Sequence, residues 1–514
     1  MSYEVTIIEK KTGQIHKETL PVSDSPTDYE YGKALADVLE PFISGKIGAT
    51  AEVREADWLI HALAIVPKGG AVMVTENAGA DTLKLQKVFR READTLPEKY
   101  LVCVNPEHNN NKYYRMVDLN DGTWGAFYGR IGEKQGSSRF SKHATVPYVY
   151  PAYMYYIKLQ EKLLKGYQDM TELHVADSQP SVKSEYKPIE SDRIRALVDN
   201  LMRFASKVVE QNYTVLAEDV TQQMIDAAKK ELAALRKLKS VAAFNKHLVR
   251  LMHILPRRID GEKNQGVQRM LAEAQDSFAA IILRESNLLQ IMEGQVNVAV
   301  AVAVNGKADP TKTILDALGL EIYEARPEQV EVVRSHLGAT LKPRLKSVYR
   351  VINKRTQKKF DEYLENNKVN GKKPKVKQLW HGSGNENWFS ILQNGLMLNP
   401  DAKITGKMFG AGIYFAPSDM KSYNYTSGIG SYWRRGTSDV AFMGLYATAY
   451  GTPYDVFDYV GINFSSFDYD ALQAKQKGAS CLHAHSDHGM LRSDEIVFYA
   501  EDQLTINYLC EFAA

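Results

Sequence analysis

Residues 377–395 read Lys-Gln-Leu-Trp-His-Gly-Ser-Gly-Asn-Glu-Asn-Trp-Phe-Ser-Ile-Leu-Gln-Asn-Gly. The segment from Lys377 to Trp380 predicts a short strand that enters a turn at His381-Gly382-Ser383. A helix is expected from about Asn385 to Gln393, and Gly395 is expected to end it. This strand, turn and helix form the predicted framework around His381.

Two segments nearer the C-terminal end add further candidate residues. Residues 405–416, Thr-Gly-Lys-Met-Phe-Gly-Ala-Gly-Ile-Tyr-Phe-Ala, are a glycine-rich approach to another predicted strand, and residues 421–425, Lys-Ser-Tyr-Asn-Tyr, follow it. The final strand is expected to carry Asp494-Glu495. A lone His-Gly-Ser or Gly-Ile-Tyr tripeptide occurs by chance in many chains. The order of His381, Tyr414 and Glu495, each in a strand context, is what makes them a candidate site.

The composition limits the class of protein. With 514 residues, 44% of them hydrophobic, the chain has room for several domains with cores of their own. The formal net charge of +2 is close to neutral, so nucleic-acid contacts must come from local patches. Cys103, Cys481 and Cys510 are too few and too scattered for a disulfide framework or a cysteine-built zinc finger. We expect a soluble intracellular protein, nuclear if the organism is eukaryotic, with no signal peptide and no membrane span.

Upstream of these segments the sequence predicts two domains and a linker. Residues 1–95 mix strand-like alternation, from Tyr3 to Glu9, with helical stretches at 31–42 and 83–91, which predicts an α/β or α+β domain of unknown function. Residues 98–175 are β-rich. Their strand segments at 100–104, 112–117 and 124–131 are separated by turn residues at 109–111 and 121–122, and a tyrosine-rich helix is expected from about Pro147 to Leu164. Residues 176–192 are polar, contain two prolines and predict a linker.

Residues 193–305 predict an all-α bundle. A first helix carries an apolar stripe at helical spacing, made of Ile194, Leu197, Val198, Leu201, Met202, Ala205, Val208 and Val209. A second helix is expected after Thr221 as its N-cap, and a third from Leu271 to Met292, ended by Gly294. Residues 296–304 alternate valine and alanine, which favours a strand or a buried connector.

Taken in order, these motifs resemble those of the poly(ADP-ribose) polymerases. The segments around His381, Tyr414 and Glu495 resemble the family's catalytic domain, over residues 309–514. Residues 109–114, Asn-Asn-Asn-Lys-Tyr-Tyr, followed by residues 124–132, Trp-Gly-Ala-Phe-Tyr-Gly-Arg-Ile-Gly, are similar to a WGR domain in which Tyr128 replaces the eponymous tryptophan. The bundle resembles the family's helical regulatory subdomain. The resemblance implies a multidomain protein without zinc fingers, whose β-rich WGR-like domain and all-α bundle precede an α+β ADP-ribosyltransferase domain.

The resemblance also implies roles for the site residues. Glu495, His381, Tyr414 and Lys421 would be catalytic. NAD would be bound by His381, Gly382, Ser383, Tyr414, Ser422 and Tyr425. Two tyrosine rings would sandwich the nicotinamide, Gly382 would bond its carboxamide, and His381 would bond an adenosine ribose hydroxyl. Glu495 would steady an oxocarbenium-like transition state and polarise the acceptor hydroxyl.

Tyr128 and Arg130 would contact nucleic acid, by stacking and by a phosphate contact. The predicted function is therefore an NAD-dependent protein poly-ADP-ribosyltransferase, activated by DNA damage and acting in DNA repair. Its partners would be NAD, damaged DNA ends or nicks, and protein acceptors. Glu495 favours chain elongation, because relatives that add one unit commonly lack a glutamate there. A mono-ADP-ribosyltransferase or NAD glycohydrolase, and a DNA-end-binding scaffold with an inactive NAD site, are the alternatives.

Other positions depart from the family pattern or stand apart from it. Met397 falls near where relatives place an arginine over the adenine, and Arg492 where they usually have an apolar residue. Cys481, His483, His485, Asp487 and His488 crowd into one short tract. Their spacing is not a standard metal-ligand pattern, so we expect no metal there.

Overall fold

The computed structural model describes residues 2–9, 15–21, 58–66, 72–75, 96–105, 110–174, 186–258, 270–303, 311–398 and 408–513, with short gaps inside the longer ranges and with Glu30, Lys33, Ala34 and Asp37 standing apart. The chain divides into two compact units. One comprises residues 1–178 and 252–268, and the other comprises residues 179–251 and 269–514. Among the helices that these ranges include, none has the length and apolar character needed to cross a bilayer.

The first unit begins with a four-stranded antiparallel sheet of order β2-β1-β3-β4. Its strands are β1 (Ser2–Glu9), β2 (Ile15–Leu20), β3 (Trp58–Val66) and β4 (Val72–Thr75). The predicted strand from Tyr3 to Glu9 is confirmed as β1. The helical stretch predicted at 83–91 lies outside the described residues. In the stretch at 31–42 the described residues, Lys33, Ala34 and Asp37, are helical.

A second antiparallel sheet in this unit has the order β8-β7-β6-β5-β9. It comprises β5 (Lys99–Asn105), β6 (Asn110–Asp118), β7 (Thr123–Arg130), β8 (Tyr148–Pro151) and β9 (Gln168–Asp169), and a helical turn, α1 (Thr171–His174), follows it. Its core buries Leu101, Met116, Trp124, Ala126 and Tyr155 completely. The strands predicted at 100–104, 112–117 and 124–131 are confirmed.

Two predictions in this sheet are wrong. Asn110 and Asn111 open β6 instead of forming a turn, because they pair with Asn105 and Val104 and the Asn111 amide is buried against the Arg257 carbonyl oxygen, at 3.3 Å. Residues 148–151 are a strand paired with β7, not the start of a helix. Helical conformation is found beyond them, at Tyr155 and at the described positions up to 163.

The second unit starts with helices. They are α2 (Asp192–Asn212), α3 (Gln222–Leu235), α4 (Val241–Ile254, whose last turn belongs to the other unit) and α5 (Phe278–Ala303). The side chains of Ser191 and Thr221 cap α2 and α3 by accepting the backbone N–H groups of Ile194 and Met224, as N-cap residues do. The predicted apolar stripe of the first helix is confirmed, since six of its members are buried: Ile194, Leu197, Val198, Leu201, Ala205 and Val209.

The third predicted helix is displaced. Helix α5 begins at Phe278, passes through Gly294 and ends at Ala303, so the valine and alanine run is helical and is not a strand. A run that is apolar on every side has no periodicity that separates a buried helix from a buried strand. Gly294 lies inside the helix, where its backbone packs on Ser390 and an added Cβ would lie 3.0 Å from the Ser390 Cβ.

The remainder of this unit holds two sheets. One has the order β10-β11-β18-β14-β12, and its strands are β10 (Leu320–Glu324), β11 (Leu345–Asn353), β12 (Val376–Gly382), β14 (Val440–Ala449) and β18 (Leu504–Ala513). The other has the order β13-β17-β16-β15, from β13 (Ile413–Phe415), β15 (Pro453–Val456), β16 (Cys481–Ala484) and β17 (Glu495–Phe498). Glu495 therefore opens β17 and not the final strand, since β18 follows and fills the centre of the first sheet.

Short helices connect these strands. They are α6 (Ile314–Ala317), α7 (Pro327–Ser335), α8 (Lys354–Asn366), α9 (Trp388–Asn394), α10 (Asp419–Tyr423) and α11 (Tyr469–Lys475). The predicted strand at 377–380 and the helix that follows it are confirmed as β12 and α9. Gly395 ends α9 with a positive φ of 75°, a conformation that glycine adopts without steric cost. One apolar core joins the α2 stripe to Trp388, Phe389 and Leu392 of α9.

Candidate active site

Three strand segments bring the predicted residues into one cleft. The backbones of Trp380 and Ala416 exchange hydrogen bonds of 3.0 and 3.1 Å, which tie the end of β12 to the end of β13. Strand β13 also pairs with β17, with Tyr414 opposite Val497. His381, Tyr414 and Glu495 consequently line the same cleft, which has a volume of about 360 Å³. Gly382, Ser383, Lys421, Ser422 and Tyr425 line it as well.

His381 is oriented by the strand opposite it. Its Nδ1 lies 3.0 Å from the backbone carbonyl oxygen of Tyr414. Because a carbonyl oxygen only accepts, Nδ1 must carry the proton in this hydrogen bond. The bond fixes the ring plane, and when the ring is neutral Nε2 is the nitrogen that can accept a hydrogen bond. Two residues predicted to act on the same substrate are thus positioned by one contact.

Tyr414 is held rigidly at its hydroxyl. The Phe409 backbone N–H donates to the hydroxyl oxygen at 2.9 Å, and the hydroxyl donates to the Gly410 carbonyl oxygen at 3.0 Å. Burial raises the pKa of Tyr414 well above its ordinary value, so the phenol stays neutral. With its polar end engaged, Tyr414 offers the cleft a neutral aromatic ring. This is the property required of a stacking platform.

Tyr425 supplies a second aromatic side chain. It lies just beyond α10, and its ring stacks on that of Trp433 with centroids 6.5 Å apart and planes inclined by 25°. Burial, reinforced by the charge of Glu495, raises the pKa of Tyr425 to about 12. The ring is 37% exposed, so one part of it remains open to a ligand.

Glu495 and Lys421 form a buried ion pair. The Lys421 Nζ lies 2.6 Å from Glu495 Oε1, and the two side chains are 15% and 8% exposed. The same ammonium donates to the Ser493 carbonyl oxygen at 2.8 Å. Glu495 Oε2 is also buried, and within the described part of the chain it has no hydrogen-bond partner. A buried, unpartnered carboxylate oxygen is costly unless a ligand satisfies it.

Gly382 sits where no side chain fits. A Cβ at this position would lie 1.8 Å from the backbone carbonyl oxygen of Ser422. The β12 backbone and the α10 backbone therefore approach as closely as two peptide groups can. The Ser422 hydroxyl donates to the Trp380 carbonyl oxygen at 2.9 Å, so toward a ligand its oxygen acts as an acceptor. The Ser383 hydroxyl accepts from the Asn387 side-chain amide at 3.0 Å.

Sequence reasoning missed one wall of the cleft. Leu283, Asn287 and Gln290, successive on one face of α5, line it opposite residues of β12 and β13. Arg434, which forms an ion pair with Glu386, and Met397 line it too. The helical spacing of residues 283, 287 and 290 is visible in the sequence, but a stripe with this spacing predicts only a face packed in the core. The local sequence does not indicate which cavity that face borders.

The predicted nucleic-acid residues belong to the other unit. The Tyr128 ring stacks on Tyr114, with centroids 5.6 Å apart, and on His143, with centroids 4.9 Å apart. Arg130 Nε lies 3.7 Å from Glu133 Oε1, and its side chain is 23% exposed. Tyr128 and Arg130 are two positions apart on β7. Because side chains alternate between the two faces of a strand, they project to the same face.

Comparisons with known proteins agree with this geometry. Residues 328–433 match the family model of the poly(ADP-ribose) polymerase catalytic domain, a range that includes His381, Tyr414, Lys421 and Tyr425. The chain carries a poly(ADP-ribose) polymerase catalytic domain. Such a domain is that of an NAD⁺ ADP-ribosyltransferase. The matched range stops before β17, so the placement of Glu495 beside Lys421 comes from the tertiary structure.

The curated relatives match shorter stretches. Poly [ADP-ribose] polymerase 2 of Homo sapiens is 58% identical over 48 residues, 9% of this chain and 8% of that protein. Poly [ADP-ribose] polymerase 1 of Danio rerio is 49% identical over 53 residues, 10% of this chain and 5% of that protein. Uncharacterized protein 101L of Invertebrate iridescent virus 6 is 27% identical over 186 residues, 35% of this chain and 71% of the viral protein. The similarity to the named polymerases is thus high but local.

Proposed function

We propose that this protein is an NAD-dependent protein poly-ADP-ribosyltransferase that responds to damaged DNA. The observation that carries the proposal is the Glu495 carboxylate. One of its oxygens is bound to Lys421, and the other is buried in the cleft without a partner among the described residues. A hydroxyl group of a bound ribose would satisfy that oxygen. The arrangement supports a carboxylate that is held in place and ready to accept a hydrogen bond.

In the proposed mechanism, the aromatic and backbone groups hold the nicotinamide end of NAD. Tyr414 and Tyr425 stack on the ring, and the backbone of Gly382 bonds the carboxamide. The Ser422 oxygen, whose proton is engaged by Trp380, accepts from the carboxamide N–H. These contacts orient the glycosidic bond and exclude water from it. His381 accepts a hydrogen bond from a hydroxyl of the adenosine ribose through Nε2.

Glu495 performs two tasks as the bond to nicotinamide breaks. Its negative charge stabilises the positive charge that develops on the ribose, and its oxygen polarises the incoming acceptor hydroxyl. Lys421 holds the carboxylate in place. Since Glu495 can activate a ribose hydroxyl of an existing ADP-ribose unit, its presence favours elongation over a single addition. Mono-ADP-ribosylation and NAD hydrolysis use the same first step and remain the alternative products.

Helix α5 is proposed to gate the cleft. Leu283, Asn287 and Gln290 form one of its walls, and the Gln393 side chain donates to the Gly294 carbonyl oxygen at 3.1 Å. A movement of α5 would therefore change the width of the cleft directly. We propose that the bundle of residues 193–305 restricts NAD entry until DNA binds, with the WGR-like region, Tyr128 and Arg130 included, as the DNA reader. Protein acceptors, DNA repair and an intracellular location, nuclear in a eukaryote, belong to the same proposal.

The deciding experiment measures nicotinamide release and product length from labelled NAD, with and without nicked or blunt-ended DNA. The expected result is slow release without DNA, fast release with it, and a ladder of products on a denaturing gel. A single discrete product would favour the mono-transferase. Release without protein labelling would favour the glycohydrolase, and no release under any condition would favour a DNA-binding scaffold.

A further inference from the structure

A compact cluster of imidazole and carboxylate groups lies outside the NAD cleft. Asp455 of β15 and His483 of β16 are directly paired across two parallel strands, so their side chains share one face of the sheet. His485 follows two residues after His483 and projects to the same face. Within the described part of the chain, one ligand atom from each of these three side chains lies within 4.8 Å of the others.

The distances between the Asp455 oxygen and the two imidazole nitrogens suit a single small ion bound by all three side chains. Asp455 Oδ1 lies 2.8 Å from His485 Nε2 and 3.6 Å from His483 Nδ1. A tetrahedral zinc ion with bonds of about 2.0–2.1 Å holds neighbouring nitrogen and oxygen ligands about 3.3 Å apart. The observed separations lie on either side of that value. Binding would require the Asp455 and His485 side chains, 42% and 18% exposed, to rotate toward that spacing.

The cluster also has the outer support that metal-binding histidines use. His483 Nε2 lies 3.1 Å from Asp494 Oδ2, and Asp494 Oδ1 accepts from both the backbone N–H and the hydroxyl of Ser486, at 2.8 and 2.7 Å. When Asp494 accepts a hydrogen bond from Nε2–H of His483, the lone pair lies on Nδ1, which is on the Asp455 side of the ring. At present the Tyr450 hydroxyl occupies that lone pair, at 2.8 Å.

Charge and protonation favour a cation over a set of ion pairs. The His483 and His485 rings have centroids 3.8 Å apart, so two imidazolium ions there would repel each other. Among the described residues, the Asp455 and Asp494 carboxylates interact with the ammonium of Lys377, which lies over the Tyr450 ring. A dication would more than balance this residual negative charge.

We propose that Asp455, His483 and His485 form a binding site for a divalent zinc-class metal ion, with Asp494 supporting His483 from behind. Three protein ligands leave a fourth position for water or an outside ligand, and two imidazoles with one carboxylate are a ligand set that binds zinc in other proteins. From the sequence alone no metal is expected, because the spacing of the tract is not a standard metal-ligand pattern. The third ligand, Asp455, is distant in sequence. Asp487 and His488 of that tract lie outside the described residues.

The bound metal would stabilise the part of the cleft around Glu495. It would join β15 to β16, and through Asp494 it would fix the residue that precedes Glu495. The proposal does not depend on the transferase function, because metal binding is measured on the protein itself.

The test is a titration of the full chain, stripped with a chelator, with Co²⁺ as a visible probe and with Zn²⁺ by calorimetry. The wild type is expected to bind roughly one ion in a tetrahedral site. Asp455→Asn and His485→Gln, both at partly exposed positions, should each weaken binding by about 100-fold or more, and Asp494→Asn by about 10- to 100-fold. Tyr450→Phe removes the competing hydroxyl and should bind at least as tightly as the wild type.

His247→Gln is the matched control. His247 also pairs with a carboxylate, Glu231, at 2.8 Å, but it has no second imidazole beside it in the described structure. Its replacement should leave affinity and stoichiometry unchanged. Thermal unfolding of the metal-free variants establishes that each is folded. Absence of binding by the wild type, or equal affinity in Asp455→Asn, His485→Gln and the wild type, would overturn the proposal.

Discussion

Replacement of Glu495 by glutamine tests the central chemical step. Glutamine preserves the shape of the side chain and can still accept a hydrogen bond from Lys421, but it carries no charge. Loss of a charge-assisted hydrogen bond costs about 1.5–3 kcal/mol. Removal of a group that stabilises developing charge in a buried site lowers kcat by about 10²–10³. Because the Glu495 side chain is only 8% exposed, solvent cannot replace it, and we expect the full effect.

The expected signature is a fall in kcat with little change in KM, since the stacking and carboxamide contacts proposed for NAD remain. Nicotinamide release at saturating DNA gives both constants, and the denaturing gel reports the loss of long products. Glu293→Gln is a closely matched control. Glu293 pairs with Lys229 at 2.6 Å, is 10% exposed at its side chain, and also has a buried Oε2 without a partner in the described structure.

Glu495→Gln loses a buried ion pair and Glu293→Gln loses one whose lysine side chain is 44% exposed, so both should unfold at a lower temperature, Glu495→Gln by at least as much. Only Glu495→Gln should lose turnover. If kcat falls equally in the two variants, the effect is one of stability. If kcat and product length are unchanged in Glu495→Gln, the role given to this carboxylate is wrong.

Three further predictions concern the gate, the aromatic wall and the β-rich unit. Gly294→Val places a side chain against Ser390 and should lower the free energy of unfolding by about 1–3 kcal/mol. The displaced α5 should also raise nicotinamide release in the absence of DNA. Unchanged release would argue against the gate. Tyr414→Phe keeps the ring but removes the hydroxyl that bonds the Phe409 N–H and the Gly410 carbonyl oxygen, so thermal unfolding should show a loss of about 1–3 kcal/mol, with KM for NAD changed by less than about threefold. Burial lowers the pKa of His174 to about 4, below its unfolded value of 6.5. The unfolded chain therefore binds the proton more readily between these values, and stability should fall by about 1–3 kcal/mol as pH drops from 6.5 to 4. His174→Gln should flatten that dependence in chemical denaturation measured across the same pH range.

Local sequence accounts for much of the framework. The caps at Ser191 and Thr221, the α2 stripe and the strand before His381 follow from side-chain chemistry acting over a few residues. Predictions fail where long-range contacts override such preferences. Asn111 enters a strand in which its amide is buried against Arg257, and α5 continues through Gly294, whose backbone packs closely on Ser390.

The sequence by itself determined which residue types the candidate NAD cleft would contain, because His381, Tyr414 and Glu495 occur in a recognisable order, each in a strand context. Only the tertiary structure decided how they act together. The pairing of β13 with β17, and the bridge from Trp380 to Ala416, place residues more than eighty positions apart in one cleft. The tertiary structure likewise places Lys421 beside Glu495, α5 along one wall of the cleft, and Asp455 beside the histidines of the proposed metal site. Strand register and helix packing fix these contacts through hydrogen bonds and buried surface between distant segments, and no local pattern encodes that information.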